Sequence, residues 1–335
     1  MEIGKVSNEI LEKIVFANIK NKRDEVLVSA AIGEDNGVID FGEYVAVVST
    51  DPVTGATKGL GRLAVHVSCN DISTSGGEPI AVLLTILCPP GTTEESLEII
   101  MEDAARAASE INVEIIGGHT EVTDSVNRTL ISSTVIGKLE KSAMPDHGSI
   151  SVGDKLVLSK YIGIEGTSIL ANELDEKLEE YLDKEKLDEA RNMSKDLSVV
   201  KEGVMAGKYN AKYMHDITEG GVYGAVWEAS KAINRGIRID KASIPIKDIT
   251  VEISNLLDIN PYRLISSGSM LMVLDEKNYN ELKVDLKKED IELNIIGEII
   301  EEGIYVKDGD RISEISPPES DELYWALEGS LNNKS

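Results

Sequence analysis

Four aspartates at the ends of apolar runs are the residues of this chain best placed to do chemistry together. Asp35 lies in the turn Gly33-Glu34-Asp35-Asn36-Gly37, and Asp51 follows the apolar run Val45 to Val48. Asp71 sits beside Asn70 in a helix-like segment, Gly59 to Pro79, otherwise made of small and apolar residues, and Asp216 ends the short run Met214-His215-Asp216. Taken singly, each has an ordinary explanation, because Asp and Asn satisfy nearby backbone groups and favour turns. As a set they point to carboxylates holding a divalent cation against a phosphate, since Mg2+ commonly bridges protein carboxylates and nucleotide phosphates. Glycines recur in the same company: Gly117-Gly118 precede His119 and Thr120, and Gly220-Gly221 follow Thr218 and Glu219. Paired glycines let backbone approach a ligand closely, or simply turn the chain.

Composition narrows the partners. Lys+Arg number 34 against 60 Asp+Glu, a formal charge of −26 over 335 residues. That excludes sequence-independent binding to nucleic acid or to an anionic membrane surface, and an anionic ligand would need metal ions or backbone N–H groups to offset the charge. Two Cys, Cys69 and Cys88, give no disulfide framework, and with four scattered His they make no zinc motif. With no signal-peptide pattern and no apolar run near ~18 residues, the expectation is a cytoplasmic protein. A Walker loop, a dinucleotide fingerprint and a G-x-S-x-G elbow are all missing from the sequence.

The elements that must carry these residues follow from pattern. Ser7 is placed to cap a packing helix through about Lys20. Strands are expected at Val26 to Ala30, Tyr44 to Thr50, Ile80 to Leu87, Val113 to Ile116 and Leu130 to Ile136, with a helix capped by Thr92 or Thr93 running to about Ile111. The segment Lys141 to Asp154, with Pro145, Gly148 and Gly153, reads as a domain boundary, giving domains 1–148 and 149–335. Beyond it come a strand Lys155 to Ser159, a helix toward Leu174, a solvated acidic excursion Asp175 to Glu189, a helix to Ile233 after Gly220-Gly221, and the apolar run Met270 to Leu274 behind Ser267-Gly268.

In this order the stations resemble the superfamily of aminoimidazole ribonucleotide synthetase, which includes selenophosphate synthetase, thiamine-monophosphate kinase and the hydrogenase maturation factor HypE. The matching stretches are Gly33-Glu34-Asp35, Ser49-Thr50-Asp51, Asn70-Asp71 with Ser75-Gly76-Gly77-Glu78-Pro79, Gly117-Gly118-His119-Thr120, Asp216-Ile217-Thr218-Glu219-Gly220-Gly221 and Ser267-Gly268. The chain is most similar to the HypE branch and its synthetase-related relatives.

The resemblance implies an α+β N-terminal domain whose sheet pairs with that of a second subunit, followed by an α/β C-terminal domain. It implies a homodimer binding ATP and Mg2+ near the subunit interface. Asp35, Asp51, Asp71 and Asp216 become metal ligands, Asp51, Asp71 and His119 catalytic residues, and Asn70, Gly117, Gly118, Thr120, Thr218 and Glu219 nucleotide-binding residues. The function implied is ATP-dependent activation or phosphorylation of an acceptor, a small molecule or a group on another protein, with hydrogenase maturation proteins as partners. A small-molecule kinase similar to thiamine-monophosphate kinase and a non-catalytic nucleotide-binding partner are the alternatives. HypE proteins dehydrate a carboxamide on their own C-terminal Cys. The tail Leu331-Asn332-Asn333-Lys334-Ser335 has none, so that self-modification is not expected here.

Overall fold

The computed structural model describes residues 6–32, 34–53, 58–318 and 320–332, so Gly33 of the first station and Asn333, Lys334 and Ser335 of the tail lie outside the described residues. Strand β3 (Tyr44–Val53) shows how sequence pattern becomes a sheet. Val45, Val47 and Ser49 turn inward while Ala46 and Val48 are half-buried on the other side, the period of two that a pleated strand imposes. With β1 (Val26–Val28), β2 (Gly37–Asp40), β4 (Glu78–Cys88), β5 (Glu114–Val122) and β6 (Leu130–Glu140) it forms a six-stranded sheet in the order β1-β2-β3-β6-β4-β5. All neighbours are antiparallel except β4 and β5.

Helix α1 (Leu60–Thr74) covers the inner face of this sheet, and α2 (Glu94–Glu110) packs on α1. Thr93 caps α2, its Oγ1 accepting from the Ser96 amide at 3.1 Å. The opposite sheet face has no such cover: Ala46, Val48, Leu83, Leu87 and Ile136 are only half-buried there. The segment from Ser7 differs from expectation. It is a broken helix, α-helical at Asn8–Ile10, wide-turned at Leu11–Val15 and tight at Phe16–Asn18, with no Ser7 side-chain cap and no buried residue. Ile14, Val15 and Ile19 of its apolar face are exposed.

The second sheet has seven strands: β7 (Lys155–Ser159), β8 (Tyr213–Asp216), β9 (Gly236–Asp240), β10 (Met270–Leu274), β11 (Leu293–Ile300), β12 (Ile304–Asp308) and β13 (Arg311–Glu314), in the order β13-β12-β9-β11-β7-β10-β8. Only β9 and β12 run parallel. All five residues of β10 are buried because helices lie on both faces. Leu271 and Val273 meet the layer of α6 (Gly221–Ile233), while Met270, Met272 and Leu274 meet α5 (Val200–Lys208) and α8 (Glu276–Lys287). Helices α3 (Ile164–Glu173), α4 (Lys184–Asn192), α7 (Asp248–Leu257) and α9 (Glu322–Asn332) complete the domain. The acidic excursion is less solvated than its composition suggests, since Leu178, Leu187 and Ala190 are buried under it.

The domains share apolar packing, and one glycine sets their separation. A Cβ on Gly203 of α5 would lie 2.3 Å from the Ser73 carbonyl oxygen of α1, so the two helices can touch backbone to side chain only because Gly203 has none. Among the described residues no helix is long and apolar enough to cross a membrane.

Candidate active site

The four aspartates come from four elements in two domains, and the structure brings them to one seam. Asp71 projects from α1 with 4% of its surface exposed, and its Oδ2 accepts from Ser49 Oγ of β3 at 2.5 Å. Asp51 stands two residues farther along β3, on the same face as Ser49. The strand therefore runs on through Asp51 to Val53, where the sequence pattern ended it at Thr50. Asp35 is aimed by its neighbour: Asn36 donates from Nδ2 to the Asp71 carbonyl at 2.9 Å and to Thr74 Oγ1 at 3.0 Å, pinning the loop to the last turn of α1. Asp216 closes the seam from β8, the edge strand of the second sheet that lies against α1.

Electrostatics make the seam a place that wants a cation. Burial pushes the Asp71 carboxyl well above the usual range, and the negative charges of Asp216, Asp51 and Asp35 push it further. Asp216, 1% exposed, is raised to about 8 by burial first and then by Asp35, with His215 pulling it back. Both carboxylate oxygens of Asp216 are buried without a hydrogen-bond partner among the described residues. A buried carboxylate left unpaired carries a desolvation cost of several kcal/mol unless a proton or a cation relieves it. A divalent ion fits that requirement, and oxygen donors of this kind suit Mg2+.

The sequence pattern missed His215. Four scattered His make no motif, yet the ring of His215 joins the domains: Nδ1 lies 2.6 Å from Asp35 Oδ2 and Nε2 lies 3.2 Å from Glu228 Oε2 of α6. Burial alone would lower its pKa, but the two carboxylates outweigh burial and hold it well above the ordinary imidazole range. Asp35, His215 and Asp216 each offer a ligand atom, all within 4.8 Å of one another. Adjacency to Asp216 was the one available signal. The pairing with Glu228 depends on how α6 packs on β8.

Other expected residues stand elsewhere. Gly117, Gly118, His119 and Thr120 lie inside β5, not in a turn after it, because the strand continues to Val122. Asp51 pairs with Ser133, Ser133 with Leu84 and Leu84 with Gly118, which sets Gly118 three strands, ~14 Å, from Asp51. His119 is 63% exposed and pairs with Glu121 Oε2 at 2.8 Å, so the structure does not bring it to the acidic seam. A Cβ on Gly118 would lie 1.9 Å from the Leu84 carbonyl oxygen, a structural reason for glycine at that position.

Asn70, expected at the nucleotide, is a brace in this structure. Fully buried, it donates from Nδ2 to the Leu197 carbonyl and accepts the Val199 amide at Oδ1, both at 2.8 Å. Thr218 and Glu219 begin the turn into α6. Glu219 accepts from Tyr324 Oη at 2.7 Å, and the amide of Gly220 donates to Asp321 Oδ2 at 2.6 Å, so a carboxylate of this chain already occupies that turn.

The two sheets with their helices, joined at a carboxylate seam, define a two-domain protein of the aminoimidazole ribonucleotide (AIR) synthase type. The chain belongs to the AIR synthase related family: the model of its N-terminal domain matches residues 33–139 and that of its C-terminal domain residues 151–309. It is 28% identical over 287 residues to a putative hydrogenase expression/formation protein of Methanocaldococcus jannaschii, covering 82% of this chain and 81% of that one. It is 25% identical over 251 residues to the carbamoyl dehydratase HypE of Bradyrhizobium diazoefficiens, covering 73% and 70%. Among solved structures, a chain of a HypE–HypF complex superposes with a TM-score of 0.75 over 92% of this chain and 99% of that one at 22% identity. A HypE structure in complex with ATP gives 0.71 over 96% and 97% at 18% identity.

Proposed function

We propose that this chain is an ATP-dependent enzyme of the HypE-like branch, in which the seam of Asp35, Asp51, Asp71 and Asp216 holds divalent cations against the ATP phosphates. The observation that carries this reading is Asp216, whose two buried carboxylate oxygens have no hydrogen-bond partner among the described residues and stand among three further carboxylates. The names of the relatives, and the ATP complex of a structure with this fold, favour the same reading. Bound there, Mg2+ would neutralise charge on the transferring phosphoryl group, the main requirement of that chemistry.

The protein's own part is positioning. Ser49 fixes the Asp71 carboxylate, Asn36 holds the loop that carries Asp35, and the packing of β8 on α1 presents Asp216 from the other domain. A charged polyphosphate without a cation would be repelled by this group. Strand β5, which carries Gly117, Gly118, His119 and Thr120, is the outer edge of the first sheet, three strands from Asp51. The half-buried apolar face of the first sheet and that free edge support a homodimer through this domain.

The acceptor is separate from the thiols of this sequence. Cys69 and Cys88 are both buried, and burial pushes the Cys69 thiol up to about 12, so neither serves as a swinging carrier. Hydrogenase maturation proteins are the partner class that the relatives' names suggest. Phosphorus NMR of ATP incubated with Mg2+ and the protein tests catalysis. Release of ADP or AMP, in the presence of a carbamoylated thiol acceptor or alone, is expected. Bound but wholly unchanged ATP would leave a nucleotide-binding partner and remove the enzyme.

A further inference from the structure

Away from the acidic seam, the first turn of α1 faces one side of α3 across a cavity of ≈ 240 Å3 between the domains. Arg62 lines it and Asp71 belongs to the seam, so the two places stand about 13 Å apart along α1. Glu165, Ser168, Ile169 and Asn172 form one wall, recurring at the three- and four-residue spacing that puts side chains on one face of a helix. The nucleotide reading uses none of them.

The two ends of the cavity differ in charge. At the inner end stands Glu165, 6% exposed, whose Oε2 is buried without a hydrogen-bond partner among the described residues. Donors along the walls are committed elsewhere: Ser168 Oγ donates to the Arg191 carbonyl at 3.1 Å, Asn172 Nδ2 to the Ser168 carbonyl at 2.8 Å and Ser194 Oγ to the Arg191 carbonyl at 3.0 Å. A buried carboxylate oxygen so placed is costly until a donor from outside meets it. At the mouth, Lys58, with 58% of its side chain exposed, and Arg191 share one loose partner, the Asp175 carboxylate, at 3.4 and 3.9 Å. Helix α1 opens beside them at Gly59 with no side-chain cap, and its first-turn amides favour negative charge. From Glu165 to Asn172, whose carbonyl accepts from Lys58 Nζ at 3.1 Å, the wall rises about 10 Å.

We propose that this cavity binds a small zwitterion of amino-acid size, its ammonium group donating to Glu165 Oε2 and its carboxylate lying at the mouth beside Lys58, Arg191 and the start of α1. The volume falls below the ~300–1,000 Å3 of pockets for drug-sized ligands and suits a smaller metabolite. A simple amine would leave the cations of the mouth unanswered. A simple anion would meet Glu165, with Asp321 and Glu219 adding to its negative surroundings. Binding needs neither nucleotide nor Mg2+, so the inference stands apart from the ATP reading.

The test is isothermal calorimetry of the full chain without nucleotide at pH 8, above the value of about 7 to which burial raises the Glu165 carboxyl. The probes are 4-aminobutyrate and 6-aminohexanoate, beside butyrate and propylamine, which each lack one of the two charges. One equivalent of at least one amino acid is expected to bind, about tenfold or more tighter than butyrate or propylamine. Glu165→Gln should weaken that binding about 10- to 100-fold. Lys58→Glu, a change at the exposed mouth, should weaken the amino acids and leave propylamine no weaker, and it carries the test if the Glu165 variant fails to fold. No saturable binding of either amino acid at tens of millimolar would mark a cavity that holds only water and overturn the proposal. Butyrate or propylamine binding as tightly as the amino acids, or wild-type affinity in Glu165→Gln, would overturn it too. ATP titrated with Mg2+ into the same samples separates the two readings: ATP binding without amino-acid binding sinks this inference alone, and amino-acid binding without ATP binding sinks the nucleotide reading alone.

Discussion

The acidic seam and the edge strand β5 both carry residues whose type and spacing suggested a ligand, and the chain builds them in opposite ways. The seam is over-determined. Ser49, Asn36, His215 and Glu228 each fix the side chain or loop of an aspartate or its neighbour, across two domains. Strand β5 has backbone pairing on one side, exposed side chains from Ile116 to Val122, and one local pair between His119 and Glu121. A site that concentrates like charge in a dry place needs such support, because each carboxylate there is held against its own electrostatics. An exposed strand needs none to persist, and gains order only from what docks on it.

Substitutions can break this comparison, and the largest effect should come from a residue that looks like a ligand residue but is structural. Gly118→Ala places a Cβ 1.9 Å from the Leu84 carbonyl in a φ of +145°, so β5 must part from β4. The expected loss is ~3 kcal/mol or more, read by denaturant unfolding. A stable Gly118→Ala protein with impaired ATP binding would instead make this glycine a ligand contact.

A lone buried carboxyl outside the seam gives the next effect and sharpens what company means. Burial raises the Glu165 carboxyl from 4.5 to about 7, with Ser267 relieving part of it and Asp321 and Glu219 adding to it. The folded state therefore binds more protons than the unfolded chain between these values. Its contribution is fully present below pH 4.5 and is lost as pH rises through about 7, on the order of 3 kcal/mol in all. Glu165→Gln should raise the melting temperature at pH 8 and flatten its fall between pH 5 and 8. An unchanged pH profile would show that Glu165 is ionised in the fold.

Asn70→Ala should cost about 2 kcal/mol, since it strands the Leu197 carbonyl and the Val199 amide in the interior. ATP affinity should stay within a few-fold of wild type if the residue is a brace. The smallest effect belongs to His119→Ala: the imidazole is largely exposed and its ion pair with Glu121 is a surface one, so stability should change by no more than about 0.5 kcal/mol. A large loss of ATP affinity in this variant would bring β5 into the nucleotide site.

How much was legible in the sequence follows the same division. Strands β3, β4 and β6 and helices α1 and α2 show in apolar periodicity and a Thr cap, signals that are local. The four aspartates show because polar residues at the ends of apolar runs are conspicuous. The broken helix after Ser7 has the apolar period of a packing helix, yet none of its residues is buried. The strand through Gly117-Gly118 was hidden, since glycine reads as a turn and only the close approach of Leu84 shows why a strand needs it there. His215, Glu228 and the Asn70 brace were invisible for one reason: their partners lie 180, 13 and 127 residues away along the chain.

The proposed seam recognises polyphosphate only through a cation. Isothermal calorimetry of the full chain with ATP, in matched buffers containing Mg2+ or EDTA, measures it most directly, with Asp71→Asn as the paired variant. The account predicts ATP binding in Mg2+, none in EDTA, and at least tenfold weaker binding in Mg2+ for Asp71→Asn with its fold intact. Undiminished ATP affinity in EDTA, or a variant that binds ATP and Mg2+ as the wild type does, would contradict it.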